Sequence, residues 1–164
     1  MIVLTTNSRT VLNALDRLAD SLTPSGMRPV MMEIGEDLLD STRERFKTST
    51  APDGSVWPEL SEKTVLARMN KTGKGLRSGT GTKPLVDTGQ LSSTIRYQIA
   101  DGGASVVIGT NRSFGAYNSS IHQYGTSRAG RKRNVTIPAR PFLGLSAEDE
   151  RTVLDIIVKH LSRT

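Results

Sequence analysis

Two periods of apolar residues run along this chain, one helical and one extended. From 9 to 22, Val11, Leu15, Leu18 and Leu22 share a face, with Leu12 beside them. That is the i, i+4, i+7 spacing of an amphipathic helix, and Asn7 or Ser8 can cap it. Thr23-Pro24-Ser25-Gly26 breaks the pattern. A longer helix is predicted from Pro29, since proline fits a first turn, to about Thr48. Met31, Ile34, Leu38 and Phe46 face inward in it, and Glu33, Glu36, Asp37, Arg43 and Glu44 outward. Gly35 inside it costs ~1 kcal/mol relative to alanine, which points to close packing against another helix. The short connection makes 9–48 a helical pair.

The middle of the chain changes period. Thr94 to Ala100 alternates, placing Ile95, Tyr97 and Ile99 on one face, and Ala104 to Gly109 is β-branched and nearly continuous in apolar character. Asp101-Gly102-Gly103 between them tolerates the positive φ of a tight turn, so 94–109 reads as a β-hairpin with a short helical lead-in. A lone hairpin is marginal in water, so helices must cover its apolar face. Val135 to Leu143 reads as an extended edge strand, where the prolines cost least. The expected fold is therefore α+β: a small antiparallel sheet of this hairpin plus the edge strand, packed by the N-terminal helix pair and a C-terminal helix. That last helix, 147–162, has Ser146 as its cap and Asp149 completing a capping box. Val153, Leu154, Ile157 and Leu161 are its expected buried stripe.

Turn chemistry punctuates the rest. Pro52-Asp53-Gly54 is a turn with a mechanism, proline presetting φ and glycine accepting the left-handed position. The single tryptophan, Trp57, ends that loop and reads as a core plug. Ser61 can cap a short helix, 62–70, with Val65, Leu66 and Met69 inward. Ile121 to Gly125 looks like one helical turn stopped by glycine, after a polar loop at 111–120. Two segments, 71–83 and 127–134, are rich in glycine or base and too poor in apolar area to offset ordering entropy. Both read as flexible loops within a single 164-residue domain.

Charge sharpens this picture. Net charge is +6, but its distribution says more. No acid occurs from Gly102 to Ala147 or from Lys63 to Pro84. The bases there include Lys71, Lys74, Arg77, Lys83, Arg128, Arg131, Lys132 and Arg133, expected at an oligomer or partner interface. Segregation of this kind suits head-to-tail subunit contacts or an acidic partner, protein or nucleic acid. Hydrophobic residues make up 35%, a lean core, which points to partner subunits covering some surface.

Catalytic chemistry finds little support. With no cysteine, disulfides, thiolate nucleophiles and Cys-ligated zinc are excluded. Neither His122 nor His160 sits in a metal-ligand pattern, and Glu36, Asp37 and Asp40 lie on a solvated helix face, so no cofactor or metal is expected. Gly-Lys-Gly-Leu at 73–76 lacks phosphate-loop spacing. Leu85-Val86-Asp87-Thr88-Gly89 does match the aspartic-protease triplet. Yet only 22 residues separate Asp87 from Gly109 of the second apolar-apolar-glycine segment, too few for the strands and flap of that fold. The structural reading is that Asp87 caps the helix 88–93, with Gly89 permitting the tight start. The first residues lack a signal peptide's apolar run, and no ~20-residue apolar stretch spans a bilayer, so a cytoplasmic origin and no membrane are expected.

Several motifs agree in order. They are Pro52-Asp53-Gly54 through Trp57, Leu60-Ser61, Leu85 to Leu91 with Asp87 and Gly89, and Val107 to Thr110. Ile121-His122-Gln123-Tyr124-Gly125 follows, then Ile137-Pro138-Ala139-Arg140-Pro141-Phe142-Leu143-Gly144. As a set, over roughly 27–162, they resemble the phage virion morphogenesis family, the tail-completion proteins of Mu-like tailed bacteriophages. The resemblance implies an α+β subunit of the virion, made in the host cytoplasm. It implies a homo-oligomeric ring, a hexamer, that closes the tail tube at the head–tail neck and docks the head connector, near DNA in transit. Trp57, Asp87, Gly89, His122, Gln123, Gly125, Pro138, Arg140, Pro141 and Phe142 would be its structural motif. The sequence departs from the family in Asn118-Ser119-Ser120 before the Ile-His-Gln stretch and in Ser92 after Thr-Gly-x-Leu.

Overall fold

In a computed structural model, the protein is described over residues 9–69, 82–110, 113–114 and 117–162. Its spine is a helix longer than the alternation predicts. Helix α1 (Arg9–Ser21) is followed by α2 (Pro24–Thr48). Thr23 caps α2, its hydroxyl accepting from Gly26 N at 3.1 Å, and Pro24 takes the first helical position. The start expected at Pro29 is thus too late: an earlier proline preceded by a threonine satisfies the orphan amides sooner. At the far end Ser49 closes α2 in the left-handed conformation, its N–H donating to Arg45 O.

Hairpin strands β1 (Arg96–Ala100) and β2 (Ser105–Gly109) pair antiparallel through the register Tyr97↔Ile108 and Ile99↔Val106. The turn has positive φ at Asp101, Gly102 and Gly103, as the residue choice demands. It tucks under the start of α2, where a β-carbon on Gly103 would stand 2.2 Å from Pro24 O. Tyr97 meets α2 at Gly35. Gly35 therefore serves close packing, but against a strand's aromatic ring and not a helix. Turn at Pro24 and Tyr97 at Gly35 mean that β1 runs antiparallel to α2.

Two apolar clusters meet on this spine. Val30, Ile34 and Leu38 of α2 pack with Ile156 of α6 (Ala147–Leu161). Farther along, Phe46, Ala51, Trp57, Ile95 and Phe142 form the other cluster, and Ile108 touches both. The α6 stripe is rotated from expectation: Ile156 is buried and Val153 and Ile157 partly so, while Leu154 and Leu161 are exposed.

The class is α+β, as read from the sequence, in three separate two-stranded ladders. The segment expected as an edge strand forms β6 (Val135–Ile137), whose partner is β5 (Thr126–Ala129) and not the hairpin. Pro138 and Pro141 end the pairing early. Three of the eight residues of the loop expected at 127–134 are thereby strand. Within the loop expected at 111–120, β3 (Ser113–Phe114) pairs with β4 (Tyr117–Asn118). Helix α3 (Glu62–Met69) forms as predicted but buries nothing, with Leu66 and Met69 exposed. Short α4 (Gln90–Ser93) leads into the hairpin, and α5 (Ser119–Tyr124) stops at Gly125 with φ 72°. No helix among the described residues is long and apolar enough to cross a membrane.

Candidate assembly surface

Of the residues singled out as motifs, Trp57, His122, Gln123, Arg140, Pro141 and Phe142 meet at one junction. Trp57 is 2% exposed and meets the Phe46 ring edge-on at 5.4 Å, and Phe142 tilts against the same ring at 5.5 Å. Its indole Nε1 donates to Pro141 O at 2.8 Å. The core-plug reading holds, and the polar edge of the plug is satisfied. Gln123 takes the place of a neighbouring strand for the segment after Pro141. Its Oε1 accepts from Phe142 N and Leu143 N at 3.0 and 3.1 Å, and its Nε2 donates to Leu143 O at 2.8 Å.

Arg140 stitches two loops together from within. Its backbone N donates to His122 O at 2.7 Å, and its guanidinium donates to Pro58 O and Glu59 O, both at 2.7 Å. Burial, and secondarily the charge of Arg68, push Arg140 below its ordinary value. Burial also lowers His122, with Arg140 and Arg68 adding to the effect. The His122 ring is partly buried, and its Nδ1 has no hydrogen-bond partner among the described residues. Gly125 is required by contact as well as by φ, since a β-carbon there would lie 2.7 Å from Ala139 N.

A buried ion pair that the sequence reading missed ties α2 to α6. Arg45 and Asp149, 6% and 4% exposed, pair directly. Arg45 also donates to Gly144 O at 2.7 Å and Phe142 O at 3.2 Å. Asp149 completes the predicted capping box with Ser146. Burial alone would raise the Asp149 carboxyl, but hydrogen bonds from Ser41 and Ser146 and the charge of Arg45 outweigh it, leaving the group below its usual value. The available signal was position: Arg45 lies seven residues after Leu38 on the inward stripe of α2. Nearby, Asp37 is not the freely solvated carboxylate expected. Partial burial raises it, with Asp149, Asp40 and Glu148 adding repulsion. A second clamp joins the same helices, Glu33 holding Lys159 and His160 at 2.6 and 2.7 Å. Those bonds lower Glu33 to about 2.

Asp87 does not act as the expected cap. The N-cap of α4 is Gly89 at φ 74°, with no side-chain cap bond. The Asp87 carboxylate instead lies 3.9 Å from Arg68 Nε, so the charge beside it is a cation and not a second carboxylate. Among the described residues no group of three His, Cys, Asp or Glu could hold a metal.

The surface is where the remaining candidates lie. Arg128 on β5 and Arg131, Lys132 and Arg133 on the β5–β6 turn are all exposed and form a basic tip. Lys83 is exposed too, its Nζ donating to Lys47 O at 3.1 Å, apart in sequence from that tip. Lys71, Lys74 and Arg77 lie outside the described residues. Sequence reasoning assigned the leucines of α1 to a helical face but not to the surface: no residue of α1 is buried.

A family model described as the phage virion morphogenesis family matches residues 6–162. The chain is 32% identical to Mu-like prophage FluMu G protein 2 of Haemophilus influenzae over 151 residues, covering 92% of this chain and 88% of that protein. It is 29% identical to tail completion protein S of Escherichia phage P2, covering 91% and 93%. Similarity to the putative capsid assembly protein G of Escherichia phage Mu is also 29%, covering 91% and 86%. No solved structure matches.

Proposed function

The chain belongs to the phage virion morphogenesis family, and from that premise we propose that it is a structural part of a tailed phage particle. In this reading it completes the tail. Copies form a ring, a hexamer, at the head–tail neck, where it terminates the tail tube and offers a docking surface to the head connector. No reaction is catalysed. The observation that carries the reading is the family match along the whole described fold, with a relative named for tail completion among the similar proteins. The geometry supports it in a second way: the shared motifs build a rigid interior, while the basic tip and the leucines of α1 are left for other molecules. A heterologous contact repeated with a closing rotation makes such a ring.

Phage particles assembled without the protein provide the test. The expected result is tails that fail to join heads, with a ring of density missing from the neck. Normal headed tails would end the reading.

A nucleic-acid-binding role is the second reading, favoured by the exposed basic tip in a long acid-free stretch. It demands duplex binding that weakens steeply with salt, because each neutralised phosphate releases a counterion. No mobility shift at low salt would remove it. A protease working through Asp87 is disfavoured by the cation beside that carboxylate.

A further inference from the structure

Helix α1 presents an apolar face that the other described residues leave uncovered. Val11, Leu12, Leu15, Leu18 and Leu22 are each 40–56% exposed. Thirteen residues hold a helix poorly in water by propensity alone, so such a face is stable when something lies on it. A second uncovered stripe runs along α6. Its inner side packs on α2 through Ile156, yet Leu154, Val158 and Leu161, spaced i, i+4, i+7, stay 62%, 64% and 36% exposed. Both stripes are open at once, so neither covers the other within one chain. At the helical rise per residue the α6 stripe from Leu154 to Leu161 spans about 10 Å, so it can seat the middle of the α1 face, which spans about 16 Å.

Charge identifies the occupant. The polar side of α1 carries Arg9, Asp16, Arg17 and Asp20, two bases and two acids with no lysine. A helix lying on a membrane has a Lys/Arg-rich polar face, and one on nucleic acid needs a surplus of base. Neither description fits. The α6 stripe is flanked by Glu150, Arg151 and Asp155, so it too lacks a surplus of base. Copies of a chain with net charge +6 repel at long range, so a contact between them belongs where local charge cancels and apolar surface is on offer.

We propose that α1 of one copy lies along the Leu154–Val158–Leu161 stripe of α6 in the next. This rests on the self-association reading above and names the element that performs it. At its root the end of α1 lies close to the start of α2, where a β-carbon on Gly26 would come within 2.4 Å of Asp20 O. Each copy offers its α1 to one neighbour and receives α1 from another, which makes the contact heterologous.

The absence of cysteine makes the test clean. Leu15→Cys and Val158→Cys chains, mixed and oxidised, are expected to give a two-chain disulfide product absent from either variant alone. The doubly substituted chain should give a series of longer linked products. Leu15→Glu should weaken self-association at least about tenfold while leaving the melting temperature unchanged at concentrations where the chain is monomeric, because α1 contributes no buried residue. Wild-type self-association without the mixed product, or linkage arising as readily in Leu15→Cys alone, overturns the α1–α6 docking and leaves self-association standing. A wild-type chain that stays monomeric at every concentration, with no mixed product, overturns both.

Discussion

The Tyr97 ring lies against Gly35 so closely that a β-carbon on Gly35 would stand 2.5 Å from Tyr97 Cδ2 and 2.8 Å from Cγ. These are the inner atoms of the ring, close to the β1 backbone, and cannot swing aside as a side-chain tip could. Gly35→Ala would gain ~1 kcal/mol of helix propensity but incur an overpacking cost of about 1–3 kcal/mol. The expected net is destabilisation in urea unfolding. Repeating the substitution in a Tyr97→Ala background should abolish the penalty, and a Gly35→Ala chain as stable as wild type would show that the hairpin does not press on α2.

Trp57→Ala should cost about 3–5 kcal/mol, the range for removing a large aromatic from a core. Trp57 is 2% exposed and holds Pro141 O, so the cavity would also leave a carbonyl unpaired. A loss well under ~1 kcal/mol in denaturant melts would instead place Trp57 at an assembly surface.

Which parts of the fold could be read in advance follows from how local their causes are. The hairpin, the Ser146–Asp149 capping box and the Gly125 stop depend on neighbours within a few residues, and all three formed as expected. The start of α2 was missed because two prolines competed for one role and the deciding factor was the hydroxyl of Thr23. The α6 stripe was misread because its sequence is apolar on two faces, and only the packing against Val30, Ile34 and Leu38 of α2 decides which is covered. The pairing of β6 with β5, of Arg45 with Asp149 and of Tyr97 with Gly35 joins residues far apart in the chain. Nothing in local periodicity records them. Gln123 was recognised as part of a motif, but its role as a substitute strand needed coordinates.

Asp149 and Asp37 should respond to pH in opposite senses. Asp149 is held below its ordinary value, so its stabilising contribution is present above the unfolded value and is lost as pH falls through the folded one. Removing the carboxylate leaves Arg45 buried without its partner, so Asp149→Ala should cost about 3–5 kcal/mol at pH 7. Asp37 is held above its ordinary value, so its native state binds the extra proton and stability falls as pH rises through that window. Asp37→Asn should therefore stabilise slightly at pH 7, by under about 1 kcal/mol given its partial exposure. The gain should vanish below the ordinary aspartate range. Denaturation midpoints of both variants from pH 3 to 7 check the pair of signs.

The basic tip separates a folding role from an assembly role. Arg131, Lys132 and Arg133 are exposed on the β5–β6 turn, so replacing all three with glutamate should move the melting temperature little, as surface substitutions usually do. Arg133 has φ 50°, a conformation glutamate would share at similar strain. If the tip meets an acidic protein surface in the particle, the triple variant should fold normally yet fail to restore headed tails to particles lacking the wild-type chain. Restoring the charge with lysines at the same three positions should recover function, because a compact solvated cation suffices where long-range attraction and not bidentate geometry is at work. Full complementation by the glutamate variant would remove the tip from assembly. Recovery by arginine but not by lysine would assign it a stereospecific contact with carboxylate or phosphate.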